Sequence, residues 1–204
     1  MHLVAENLAS RRGGHLVFAG ISLAVGAGEA LLLLGPNGSG KTTLIRTIAG
    51  LLPPAAGSIR IEGGNPARSV GEECHYVGHL NGVKASLTVE ENAAFWCRFF
   101  GGTHEGLEAA LAAFGLASLR DIPAAYLSAG QKRRLSLARV VLARRPIWLL
   151  DEPTVSLDHA AQGALTRVLS AHLAAGGLLL AATHADLGLA DARKLDLGGA
   201  AGTA

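Results

Sequence analysis

The chain has 204 residues, half of them apolar and 17% charged, with a formal net charge of +2. That length suits one domain, or a core with a small subdomain, and allows a sizeable buried core. The sparse, balanced charge excludes a nucleic-acid binder built on a basic surface, and no apolar run reaches the roughly 18–20 residues that span a bilayer. The N-terminus carries no secretory pattern, and the two cysteines, Cys74 and Cys97, form no C-x-x-C pair. The composition reads as a cytosolic protein with reduced thiols and an apolar surface suited to docking on a membrane protein.

In chain order, Leu3–Leu8 and His15–Val25 read as strands separated by a turn at Arg11-Arg12-Gly13-Gly14. Ala30–Leu34 is wholly apolar and reads as a buried strand. A glycine-rich loop, Gly35–Gly40, leads into a helix expected over Lys41–Leu51 and stopped by Pro53-Pro54. Gly57–Glu62 and His75–Val77 are further strands. The pattern then turns helical, over Val89–Phe100, Glu105–Phe114 and Ser128–Ala143, between Leu80 and Arg145. Strand character resumes at Ile147–Leu150, followed by a helix over Leu157–Leu173 and strands at Leu178–Ala182 and Lys194–Leu197. The Gly/Ala-rich end, Gly198–Ala204, is expected to fray. Alternating strands and helices predict an α/β fold.

Two segments carry chemistry. Gly35, Pro36, Asn37, Gly38, Ser39, Gly40, Lys41 and Thr42 fit G-x-x-x-x-G-K-[ST] between a buried strand and a helix, the context that this phosphate loop needs. Backbone N–H groups and the helix N-terminus are expected to surround a β-phosphate, with Thr43 on the first helical turn. Lys41 is expected to bridge the β- and γ-phosphates, and the Thr42 hydroxyl to ligate Mg²⁺. The second segment is the apolar strand Ile147–Leu150, which ends in Asp151 and Glu152. Adjacent acids at the end of a buried run suit a water-mediated Mg²⁺ contact from Asp151 and polarisation of the attacking water by Glu152.

Leu127-Ser128-Ala129-Gly130-Gln131, ahead of a basic helix, closely resembles the L-S-G-G-Q signature of the ABC ATPase family, with Ala129 in place of one glycine. Ser156-Leu157-Asp158 resembles the family's D-loop, and His184, after Leu178–Ala182 and Thr183, its switch histidine. The resemblance spans essentially the whole chain. It implies a single ABC ATPase domain: a P-loop NTPase core of RecA-like type over residues 1–80 and 146–204, with a mixed sheet and N-terminal antiparallel strands, and an inserted helical subdomain over 81–145. It implies ATP as substrate, Mg²⁺, and a dimer of two copies in which Ser128, Gly130 and Gln131 reach the γ-phosphate held by the other copy and Asp158 crosses the interface. It further implies integral membrane transporter subunits as partners, no nucleic acid, and a peripheral place on the cytoplasmic face of the bacterial inner membrane.

Two positions depart from the general family. The adenine-stacking aromatic falls on Arg12, whose guanidinium either stacks on the base or belongs to the turn. The glutamine that contacts Mg²⁺ falls on His79, and imidazole is a poor ligand for that ion. His79 is expected to hold a metal-bound or attacking water, or else to pack the groove beneath a membrane subunit. The run Tyr76–Lys84, Arg12 and a short C-terminus resemble the ABC ATPases of cytochrome c biogenesis, historically called haem exporters. The stripe Phe95, Trp96, Phe99 and Phe100 is open to two uses, docking or core packing. A non-transport ABC ATPase acting on ribosomes or DNA is the alternative, but such proteins usually fuse two cassettes or carry long insertions.

Overall fold

The computed structural model describes residues 1–143 and 145–198. The expected Gly/Ala-rich tail from residue 199 onward lies outside them. An antiparallel hairpin, β1 (His2–Arg12) and β2 (His15–Gly26), opens the chain. Its turn is only Gly13-Gly14, with φ of 53° and 81°. A two-residue hairpin turn of this kind needs a left-handed backbone at both positions, which two glycines supply. Arg11 and Arg12, expected in the turn, therefore stay in the strand opposite Leu16 and His15. β4 (Ala56–Glu62) pairs with the other edge of β1.

The remaining strands form a second sheet in the order β5-β6-β7-β3-β8, comprising β3 (Ala30–Leu34), β5 (Cys74–Val77), β6 (Ile147–Asp151), β7 (Leu178–Ala182) and β8 (Arg193–Asp196). Every pairing in it is parallel. The mixed set of strands expected from the sequence thus separates into one antiparallel and one parallel sheet. Alternation along β6 divides the core. Ile147 and Leu149 face one side with Leu31, Leu33, Leu178 and Leu180, packed by Leu44, Ile45 and Ile48 of α1 (Lys41–Ile48). Trp148 and Leu150 face the other, with Leu32, Leu179 and Ala181.

That second side is closed by α6 (His159–Ala174) and by three helices inserted between β5 and β6, α3 (Val89–Phe99), α4 (His104–Ala113) and α5 (Ala129–Leu142). Each fully buried Leu on these faces stabilises the fold by about 1.5–3 kcal/mol. Helix starts are written locally. The Thr88 side chain accepts from the Glu91 N–H while Glu91 accepts from the Thr88 N–H, a reciprocal cap. Asp158 caps α6 through the Ala161 N–H at 2.8 Å, so that helix starts at His159 rather than at Leu157. A four-residue helix, α2 (Val70–Glu73), absent from the sequence expectation, follows a cap between Ser69 and Glu72. The aromatic stripe divides between its two uses. Phe95 and Phe99 are exposed, Trp96 lies beneath the Arg139 guanidinium at 4.5 Å, and Phe100 meets His75 edge-on.

Candidate active site

The C-terminal ends of β3, β6 and β7 converge, which is where parallel α/β sheets bind ligands. β3 runs through Gly35–Gly40 into α1. Gly40 has φ 95°, and a Cβ there would lie 3.1 Å from Val17 Cγ1, so only glycine suits this point of the loop. Lys41 is buried, and its Nζ donates to the carbonyl oxygens of Gly35 at 2.6 Å and Pro36 at 3.0 Å. Thr42 Oγ1 donates to Asp151 Oδ1 at 3.0 Å. Asp151 Oδ2 is buried and has no hydrogen-bond partner among the described residues. An unpaired buried carboxylate oxygen is unfavourable, and a hard divalent cation is the ligand that satisfies it. The hydroxyl and carboxylate side by side therefore fit Mg²⁺.

Glu152 has φ 47°, a left-handed backbone that costs a non-glycine residue about 1–2 kcal/mol. Its surroundings enforce the turn. The Glu152 N–H donates to Ala182 O at 2.8 Å, and its carbonyl accepts from Arg133 Nη2 at 2.8 Å. The side chain then lines a pocket of about 300 Å³ with Val17, Asn37, Gly38, Gly40, Lys41, Thr42 and Thr43. His184, just past β7, completes the cluster. Its Nε2 lies 3.1 Å from Lys41 Nζ, 3.2 Å from Asn37 Oδ1 and 3.5 Å from Glu152 Oε1. A proton on Nε2 serves the two oxygen acceptors, whereas a bare Nε2 accepts from Lys41.

The other sequence-derived candidates stand apart from this pocket. Ser128 caps α5, its Oγ accepting from the Gln131 N–H while Gln131 Oε1 accepts from the Ser128 N–H. The positive end of α5 thus faces outward beside Gly130. Asp158 is occupied as the α6 cap. Arg12 is exposed at the end of β1, and Val17, not Arg12, lines the phosphate pocket. His79 is exposed on a separate groove of about 360 Å³ with Arg46, Tyr76, Leu80 and Arg139.

Sequence reasoning missed Arg133. It is 3% exposed and donates to the carbonyls of Gly78, Asp151, Glu152 and Pro153 and to Asn81 Oδ1. Burial pulls its pKa below the usual arginine range. In the run Lys132-Arg133-Arg134 it reads as one more solvated cation. The usable signal was its helical spacing from Ser136, Leu137 and Val140, all buried on the inner face of α5.

Residues 18–155 match the family model described as ABC transporter. The chain belongs to the ABC transporter family. It is 55% identical to the cytochrome c biogenesis ATP-binding export protein CcmA of Rhodopseudomonas palustris strain BisB5, over 98% of this chain and 100% of that protein. It is 52% identical to the protein of that name from Nitrobacter winogradskyi, with the same coverage. The ATP-binding subunit of an ABC transporter superposes with a TM-score of 0.80 at 27% identity, over 90% of this chain and 80% of that one. A dimeric ATP-binding cassette bound to ADP and Pi shares the fold, with a TM-score of 0.81 at 22% identity over 96% and 95% of the two chains. As an ABC family member, the chain is an ATP-binding, ATP-hydrolysing transporter subunit, as the phosphate loop and signature imply.

Proposed function

We propose that two copies of this chain sandwich two ATP molecules and drive membrane subunits in cytochrome c biogenesis, docked on the cytoplasmic face of the bacterial inner membrane. The full-length likeness to CcmA proteins supports the biological role. The observation that carries the chemistry is the meeting of Lys41, Thr42, Asp151, Glu152 and His184 at three strand ends. Among the described residues no helix is long and apolar enough to cross a membrane.

In this reading Lys41 exchanges its loop carbonyls for β- and γ-phosphate oxygens. Thr42 and Asp151 hold Mg²⁺, which neutralises developing charge on those oxygens when bound. Glu152 orients the attacking water and takes its proton. His184 donates from Nε2 to the γ-phosphate. Residues 81–145 act as a helical arm that presents Ser128, Gly130 and Gln131 to the ATP of the second copy, while Asp158 lies at the interface between copies. Leu80, 83% exposed, with Phe95 and Phe99, faces the membrane subunits.

Glu152→Gln tests the sandwich. The variant binds ATP without hydrolysing it and elutes as a dimer with ATP and as a monomer without. An ATP-loaded monomer counts against the composite site. The biological role is tested by deleting the gene from its source bacterium. Loss of assembled c-type cytochromes, restored by the wild-type gene and not by Lys41→Ala, is the expected result.

A further inference from the structure

We propose that Arg133 is a positioning residue for hydrolysis: it sets the turn at Glu152 and ties that turn to the segment Gly78–Asn81. The inference rests on the reading of Glu152 as the residue that orients water.

A guanidinium has five N–H donors in a rigid plane, and all five of Arg133 have acceptors. Nη2 donates to Asp151 O at 2.9 Å and Glu152 O at 2.8 Å. Nε donates to Pro153 O at 3.3 Å. Nη1 donates to Gly78 O at 2.8 Å and reaches Asn81 Oδ1 at 3.4 Å. Three consecutive carbonyls, centred on a residue with φ 47°, are thereby turned toward one cation. Such convergence is what a left-handed Glu needs, because its own carbonyl cannot continue the β6 ladder. The bonds are charge-assisted and shielded from water.

The same plane joins three segments that are distant in sequence. Arg133 stands on α5, one turn after the Ser128 cap, and so moves with the signature end of that helix. Gly78 and Asn81 flank His79 in the segment that borders the exposed groove. Asp151–Pro153 is the end of β6. A shift of either α5 or the 78–81 segment therefore pulls on the carbonyls that fix where the Glu152 carboxylate points. With its five N–H donors taken up by protein oxygens, Arg133 is placed to act on hydrolysis through the turn at Glu152.

Steady-state hydrolysis and ATP binding of the full chain test this with Arg133→Met, Arg133→Lys, Glu152→Gln and the double variant Glu152→Gln/Arg133→Met. Arg133→Met is expected to lower kcat by about 10²-fold, the effect of a misplaced reacting group, with KM for ATP within about threefold. Arg133→Lys retains the cation but not the fork, and is expected to recover part of kcat. In the Glu152→Gln background, which binds ATP without hydrolysing it, removing Arg133 is expected to leave ATP affinity within about threefold, since a residue that acts through Glu152 does not hold the nucleotide. Equal kcat in wild type and Arg133→Met overturns the proposal, as does a loss of ATP binding when Arg133→Met is added to Glu152→Gln. If Arg133→Met does not fold, Arg133→Lys decides alone: wild-type kcat, or a rise in KM matching its fall in kcat, overturns the proposal. Failure of the underlying reading looks different, because Glu152→Gln itself would then hydrolyse ATP at the wild-type rate.

Discussion

Gly130 faces the carbonyl oxygen of Ser156 so closely that a Cβ on Gly130 would lie 2.7 Å from it. Neither side yields freely, because Ser156 is itself held at φ 66° just ahead of the Asp158 cap. The contact joins the signature to the D-loop segment within one chain. It also explains why the signature tolerates Ala129, which is exposed, but keeps glycine at the next position. Gly130→Ala is expected to lower stability by about 1–3 kcal/mol, as overpacking does. It should also lower hydrolysis at least about tenfold by shifting the interface segment, with ATP affinity little changed, since a factor of ten is about 1.4 kcal/mol. Ala129→Gly is expected to leave hydrolysis intact and change stability by no more than about 1 kcal/mol. Thermal melts and steady-state rates on both variants provide the comparison.

The pocket beside the phosphate loop has the aliphatic Val17 on its wall, while Arg12 is exposed at the hairpin end. The Val17 side chain has no donor or acceptor for the edge of a purine, and Arg12 is not part of the pocket lining. GTP is therefore expected to compete with ATP within about tenfold, the scale of one weak stacking contact. Competition binding with wild type and Arg12→Ala checks this. Strong preference for ATP that survives Arg12→Ala would show that another group reads the base.

His79 borders the exposed groove with Leu80 and Tyr76. From that place it is expected to serve the membrane partner before it serves the nucleotide. His79→Ala should weaken assembly with the membrane subunits and leave hydrolysis by the isolated chain within about twofold, as surface changes remote from chemistry do. A pH-dependent rate in the assembled complex that His79→Gln abolishes would instead assign His79 to the water at the γ-phosphate.

His75, on β5, is 3% exposed, and neither ring nitrogen has a hydrogen-bond partner among the described residues. Burial, with the Arg139 cation nearby, pushes its pKa down to about 3 from 6.5. The folded form therefore resists a proton that the unfolded chain accepts. Stability from this source is complete above about pH 6.5 and falls by about 1.4 kcal/mol for each unit below it, down to about pH 3. His75→Leu should flatten that part of the profile, measured by urea unfolding between pH 7 and 5. An unchanged slope would place the acid sensitivity elsewhere.

How much of this was legible in the sequence depended on distance along the chain. β3, the phosphate loop and α1 form one contiguous stretch, so their spacing alone exposed them. The Asp158 cap is equally local, yet the helix was expected from Leu157 and starts at His159. Arg12 was misplaced because only the φ values of Gly13 and Gly14 show that two residues close the hairpin. The contact of Thr42 with Asp151 spans 109 positions and was inferred from motif pairing, not from pattern. Arg133 was missed for a different reason. Its spacing marks it as inward-facing, but four of its five acceptors are main-chain carbonyls, which leave no mark on residue identity.

The placement of β7 between β3 and β6 acts as a ruler. Neighbouring strands in a sheet lie about 4.8 Å apart, so the backbones of β3 and β6 are set two spacings, roughly 10 Å, from each other, and the side chains of Thr42 and Asp151 meet across that width. That width is written in backbone hydrogen bonds, not in side chains. Core substitutions can soften the protein while the aperture stays constant, and the histidine that stands in the gap arrives on the spacer strand itself. Evolution can therefore vary the apolar letters of β3, β6 and β7 widely, as long as one strand, and only one, lies between the two halves of the site.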